Sequence, residues 1–320
     1  QLPGPGERQL RVMAEYADGH RRDVTRLAVY KTNDDSAASV DSNGRAVLLR
    51  RAETNLVVRY QSRVLTTRMT TEINPDLAFD FASLPRRNFI DEELFRRLRA
   101  LKIPPSPSAS DAAFLRRVSL DLTGEQPPPD QVRAFLAETD PDKRTKLVDR
   151  LLARQEFVLF WRIKLGDMLQ ITPARQGNGA YRYQEWIDRR LAENTPWNEV
   201  VTQLLTALGD PNDTRTGGPV NYAMTALMPT DQAEQTAQRF LGLRMRCAQC
   251  HDHPFDLWTQ DDYFGLAAIF AKVTANGMGD RGMMSDRPKV SINPKGEVLH
   301  LRTGKPAIPR PLGGEVILTS

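Results

Sequence analysis

The sequence predicts a multidomain β plus α protein: a small β-sandwich, then a mainly α-helical domain, then an irregular C-terminal extension. Three observations predict it. Up to about residue 72, apolar residues alternate with polar ones between glycine-containing turn dipeptides. Beyond Pro75 and Pro85 the apolar period lengthens to about 3.6. From about residue 274 the chain turns rich in glycine and proline. These changes set boundaries at 7–72 for the strands, 73–87 for a linker, 88–273 for the helices and 274–320 for the extension.

The strand region reads as β-rich runs at Leu10–Tyr16, Ala46–Leu49, Asn55–Tyr60 and Val64–Thr71. Asp18-Gly19 and Asn43-Gly44 lie between runs as tight-turn dipeptides. Leu56, Val58 and Tyr60 alternate with Val57 and Arg59, so this strand has at least one buried face.

In the helical region Ile90, Leu94, Phe95, Leu98 and Leu101 mark one helix face. Ser110 is placed to cap a second helix carrying Phe114, Leu115 and Val118, which Thr123-Gly124 and Pro127-Pro128-Pro129 stop. Val132, Phe135 and Leu136 begin another, and Leu147, Val148, Leu151 and Leu152 form the next stripe. Trp186, Ile187 and Leu191, then Val200, Val201, Leu204 and Leu205, add two more. Asp231 and Glu234 read as a capping box for a helix through Ala237, Phe240 and Leu241, and a last helix carries Tyr263, Phe264, Leu266, Ala267, Ile269 and Phe270. In the extension Val290–Ile292 and Val298–Leu301 flank a turn at 293–296 and read as a β-hairpin, with Val316–Leu318 as a final strand.

Bulk composition excludes several classes. The chain has 320 residues, 40% of them hydrophobic and 26% charged, a globular balance with enough material for about two domains. Its 44 basic and 40 acidic residues are interspersed and leave a charge of only +4, which argues against nucleic-acid binding. No apolar run approaches the roughly 18–20 residues of a membrane span. A start at Gln1 with no initiator Met and no signal-like stretch fits a mature, processed protein, and equally a trimmed chain.

The pieces Tyr16-Ala17-Asp18-Gly19, Asp23-Val24-Thr25 and Val40-Asp41-Ser42-Asn43-Gly44 resemble the bacterial immunoglobulin-like domain of group 2. The chain departs from it at Ala52-Glu53-Thr54, where that family usually has a glycine before its last threonine-containing strand. The resemblance implies an Ig-like sandwich, a module that serves mostly as spacer or binding surface on exported proteins. The runs FLRRVSLDLTGEQPPPDQVRAFL, KLVDRLLARQEF, YRYQEWIDRRLAENTPWNEVVTQLL and TAQRFLGLRMRCAQCHDHPFDLWTQDDYFGLAAIFAKV resemble a cytochrome-associated domain of unknown function from surface proteins of planctomycetes and related bacteria. That resemblance runs from about Phe89 to Val273.

The chemistry concentrates in Cys247-Ala248-Gln249-Cys250-His251-Asp252-His253, which holds the chain's only two cysteines and two of its four histidines. Two thiols three positions apart with an imidazole directly after is the spacing for covalent haem attachment, in which Cys247 and Cys250 form thioethers and His251 binds iron. Met278, Met283 and Met284 are then the candidates for the sixth ligand. The bland reading of the same residues is a Cys247–Cys250 disulfide or a buried thiol pair, with His251 hydrogen-bonded in a turn. A zinc site needs a second ligand cluster that the sequence lacks, and His20 and His300 read as isolated. Asp252, Asp256, Asp261 and Asp262 beside the histidines are the residue types of an acid–base site, or else of helix caps, with Thr259 or Asp261 suited to cap the last helix.

The function expected from this reading is a non-catalytic, membrane-extrinsic interaction or scaffold subunit of an electron-transfer assembly, respiratory or photosynthetic. It would sit in the periplasm or on the extracytoplasmic face of a bacterial membrane. Its partners would be protein subunits of a larger exported or membrane-bound complex, and its cofactor none or a single haem c. A monohaem c-type electron carrier and a hydrolase built on the His/Asp cluster 251–262 are the alternatives.

Overall fold

Short polar turns set the strand order at the N-terminus. The computed structural model describes residues 4–61, 63–278 and 284–317, with side chains left undescribed from 277 to 287. Its strands run Gly6–Gln9 (β1), Met13–Glu15 (β2), Arg21–Asp23 (β3), Val29–Thr32 (β4), Ala38–Val40 (β5), Arg45–Leu48 (β6), Glu53–Tyr60 (β7) and Arg63–Thr70 (β8). Asp18-Gly19 joins β2 to β3: Gly19 takes φ +80°, and the Asp18 carboxylate accepts the His20 N–H at 2.9 Å. Asn43-Gly44 joins β5 to β6, with Gly44 at φ +77° and Asp41 Oδ1 accepting both the Asn43 and Arg45 N–H groups. Both glycines occupy the left-handed region that other residues enter at a cost.

The sheets are antiparallel, in the orders β1-β6-β5 and β4-β7-β8, with β2-β3 as a separate ribbon. Ala46 and Leu48 of the first sheet and Leu56 and Met69 of the second share one buried cluster, so the two sheets face each other across a common core. The alternation read from 56–60 holds: Thr54, Leu56 and Val58 are buried and their neighbours are not. Burying a side chain such as Leu48 or Leu56 contributes about 1.5–3 kcal/mol. Strands β1, β3, β4 and β5 are short and were not among the predicted runs.

The helices follow: Phe89–Leu101 (α1), Asp111–Thr123 (α2), Pro129–Ala137 (α3), Lys143–Leu152 (α4), Gln155–Leu169 (α5), Pro173–Gln176 (α6), Gly179–Ala192 (α7), Trp197–Thr206 (α8), Gly217–Val220 (α9), Pro229–Phe240 (α10) and Gln260–Phe270 (α11). The architecture is therefore strands, then helices, then an extension, as the sequence predicts. Ser110 caps α2 by accepting the Ala113 N–H, and Gly124 ends it at φ +73°. Gly124 also needs its bareness, because a Cβ there would sit 2.5 Å from the Phe160 ring. The capping box expected from Asp231 and Glu234 is not formed. Met228 is the N-cap of α10, Pro229 occupies the first turn, and Glu234 instead accepts the Tyr263 hydroxyl at 2.8 Å. Proline fits the first helical turn, where its missing N–H costs nothing, so the helix starts three residues earlier than the box implied.

The chain divides into two compact units, Gln1–Ser108 with Asp252–Leu257, and Ala109–His251 with Trp258–Ser320. Helix α1 belongs to the first. Asn88 caps it, Arg97 pairs with Glu53 of β7, Lys102 pairs with Glu72 at 3.2 Å, and the Ile73 N–H reaches the Leu101 carbonyl at 2.7 Å. None of its side chains is buried, and Ile90 and Leu94 of the predicted apolar face are exposed.

In the extension Val273–Met278 (β9) pairs antiparallel with Met284–Ile292 (β10). Val290–Ile292 thus pairs backward with Val273–Ala275, not forward with Val298–Leu301 as the sequence suggested. The expected turn at 293–296 does form, but it turns the chain out of this hairpin. The expected last strand is not formed by Val316 and Ile317, and Leu318 lies outside the described residues. Gly296 passes so close to the end of α11 that an added Cβ would lie 2.0 Å from the Ala271 carbonyl oxygen. Gly296→Ala is expected to cost about 1–3 kcal/mol, read as a lower urea midpoint, because backbone rather than a flexible side chain must move.

Candidate functional site

The Cys247–Cys250 segment is built as one tight turn on a closed core. Helix α10 ends at Phe240, and Gly242, at φ +69°, redirects the chain. Arg246–Gln249 then form a 3₁₀ turn, with the Ala248 N–H donating to the Met245 carbonyl at 2.8 Å. In a 3₁₀ turn residues three apart eclipse and share an edge. Met245 and Ala248, 1% and 0% exposed, take the inner edge. They pack with Ala233 and Ala237 of α10 and with Tyr263, Phe264 and Ala267 of α11. Cys247 and Cys250 take the outer edge, where both are exposed and unbonded, and His251 follows, also exposed. The buried thiol pair considered from the sequence is therefore not what the turn makes: the alanine between the cysteines goes inward and the thiols outward.

Side-chain hydrogen bonds hold this arrangement. Gln260, buried at the start of α11, donates from Nε2 to the Gln249 carbonyl at 2.8 Å. Tyr263 donates to Glu234, and burial first, then this carboxylate, pushes its phenol far above the ordinary tyrosine range. Gln260 thus ties the turn to α11, and the Tyr263–Glu234 bond ties α11 to α10. Because both thiols are exposed and Met245 and Ala248 are not, Cys247→Ser and Cys250→Ser are each expected to shift stability by no more than about 0.5 kcal/mol in a denaturant titration.

Asp256, Asp261 and Asp262, three of the carboxylates near the motif, have structural employment. Thr259 and Asp262 form a reciprocal capping box at the N-terminus of α11, as the sequence suggested for Thr259, and Asp262 also pairs with Arg310 at 2.7 Å. Asp261 is held by His300 Nε2 at 2.8 Å and by Arg302 at 3.3 Å. In the first unit Asp256 accepts the Leu257 N–H, His253 Nδ1 accepts the Phe255 N–H at 3.3 Å, and the Arg59 guanidinium donates to the Pro254 carbonyl.

His300, which reads as isolated in the sequence, is 6% exposed and packs against the Phe264 ring, centroids 4.8 Å apart and planes tilted by 43°. Its Nδ1 accepts the Arg302 N–H at 3.2 Å, which leaves Nε2 to donate to Asp261. Its partner lies 39 residues away, a distance over which sequence carries no signal.

The sulfur ligands expected opposite His251 are Met278, Met283 and Met284, whose side chains are not among those described. Met283 is outside the described residues, and Met278 and Met284 pair with each other across the β9–β10 hairpin. The base of that hairpin, Ala275 and Val290, packs with Val220, Ala223 and Met224, a cluster separate from the one under the cysteine turn. Among the described residues no group of three or more His, Cys, Asp or Glu gathers as a metal site. Among the same residues no helix is long and apolar enough to cross a membrane.

A haem attached here has a fitting edge. The thiols stand on one side of one turn and the imidazole follows them. The apolar residues beneath are already closed against one another.

Compared with known families, residues 89–275 match PSCyt2, described as a protein of unknown function (DUF1549). No curated protein matches the chain.

Proposed function

This chain belongs to the PSCyt2 (DUF1549) family, and from that premise we propose that it is a non-catalytic interaction subunit, exported and membrane-extrinsic, of an electron-transfer assembly. The observation that carries the reading is the exposed segment after the cysteine turn. Phe255 and Leu257 are 75% and 53% exposed, two large apolar side chains in a loop. Exposed apolar side chains gathered in this way are what a partner covers, and large ones at the centre of an interface supply most of its energy. The strand region, in the reading that likens it to an Ig-like module, supplies a second surface. Phe255→Ser with Leu257→Ser is expected to release the chain from its native complex while leaving its thermal unfolding unchanged. Recovery of the unaltered protein from membranes as a salt-extractable monomer, without stoichiometric partners, would sink the proposal.

A second reading is favoured by the outward thiols. As a monohaem c-type carrier, the chain would use Cys247 and Cys250 as thioether anchors and His251 as the axial ligand. The haem itself would supply one-electron transfer. On that reading His251→Ala removes the haem spectrum, whereas in the interaction subunit it changes local packing alone.

A further inference from the structure

Within the second unit, away from the cysteine turn, a cavity of about 380 Å³ opens beside α5, α7 and α8. That is within the roughly 300–1,000 Å³ of small-molecule sites. Its walls are apolar: Leu165 and Met168 of α5, Val200 of α8, and Trp197 at 43% exposed. Two guanidinium groups, Arg190 and Arg239, line it as well. They are not equivalent. Arg190 has a buried nitrogen, Nε, without a hydrogen-bond partner, but it also has a counter-ion, Glu193 at 2.9 Å. Arg239 donates from Nη1 to the Thr225 hydroxyl at 3.3 Å and lies over the Tyr222 ring at 5.5 Å. Its Nη2 is buried with no hydrogen-bond partner, and among the described residues it pairs with no carboxylate. A half-buried cation without a counter-ion keeps an unmet desolvation cost, which an anion entering the same space would offset.

We propose that this cavity binds a small amphipathic monocarboxylate, its apolar body against Leu165, Met168 and Val200 and its carboxylate toward Arg239. One uncompensated positive charge matches one negative charge, and the apolar walls favour a hydrocarbon body over a polyanion such as a phosphate ester.

The test uses decanoate, below its micelle concentration, titrated into the full chain and followed by calorimetry and tryptophan fluorescence. Saturable binding at one site is expected. Arg239→Met should weaken it by at least about tenfold, the loss of one charge-assisted contact. Thr195→Trp, which places bulk in the lining, should abolish it. Decanol, with the same body and no charge, should bind the unaltered protein as weakly as decanoate binds Arg239→Met. The proposal is overturned if decanoate shows no saturable binding, if Arg239→Met binds it unchanged, or if decanol binds equally well. Should Arg239→Met fail to fold, the decanol comparison and Thr195→Trp still decide.

Discussion

Met245→Ala is expected to lower the stability of the helical unit by about 2–5 kcal/mol, the range for truncating a buried Met, Leu or Ile. Met245 is 1% exposed and sits beneath the cysteine turn, against Ala237, Tyr263 and Phe264. Removing it leaves a cavity under the turn and frees the inner edge that aims Cys247 and Cys250 outward. Urea unfolding followed by circular dichroism gives the number, with Cys247→Ser as the matched control that should stay near zero. A Met245→Ala protein as stable as the unaltered one would mean that the turn does not rest on this core.

Asn221→Ala is the second large effect, expected at about 2–4 kcal/mol, since each buried hydrogen-bonding group left unsatisfied costs about 1–3 kcal/mol. Asn221 is fully buried, and its Nδ2 donates to the Pro211 and Gly217 carbonyls, each at 2.8 Å. Those two bonds close the loop before α9 onto its first turn. Gly179 at the start of α7 lies so near that a Cβ there would meet Asn221 Oδ1 at 2.2 Å. Asn221→Ala should therefore unfold at lower urea, and Gly179→Ala should also destabilise, by displacing the same amide. If Asn221→Ala loses less than about 1 kcal/mol, the loop is held by something other than this side chain.

How far the sequence foretold this structure depended on the range of the interaction. The turn dipeptides Asp18-Gly19 and Asn43-Gly44, the Ser110 and Thr259 caps and the Gly124 stop are local, and each stands where its residue type implies. Helix α5 escaped because it is apolar nearly all round: Phe157, Val158, Leu159, Phe160, Trp161 and Ile163 offer no stripe with a 3.6 period. Glu234 misled because its carboxylate serves a tyrosine 29 residues on rather than its own helix end. The tie of α1 to β7 rests on the Arg97–Glu53 pair, 44 residues apart, which periodicity cannot register.

The cysteine motif itself was plain in the sequence, but its orientation was not. The spacing Cys-x-x-Cys fits a haem, a disulfide or a buried pair equally. What sets the buried pair aside is which edge of the turn enters the core, and that follows from Met245 and Ala248 meeting residues of α11, which lies beyond the motif.

The most direct test of the account is the visible absorption spectrum of the natively exported protein, oxidised and then reduced with dithionite. The account, in which the chain acts through its protein contacts as an interaction subunit, predicts no band in the visible range in either state. A sharp c-type α-band with a strong Soret peak would contradict it and make the chain a cytochrome.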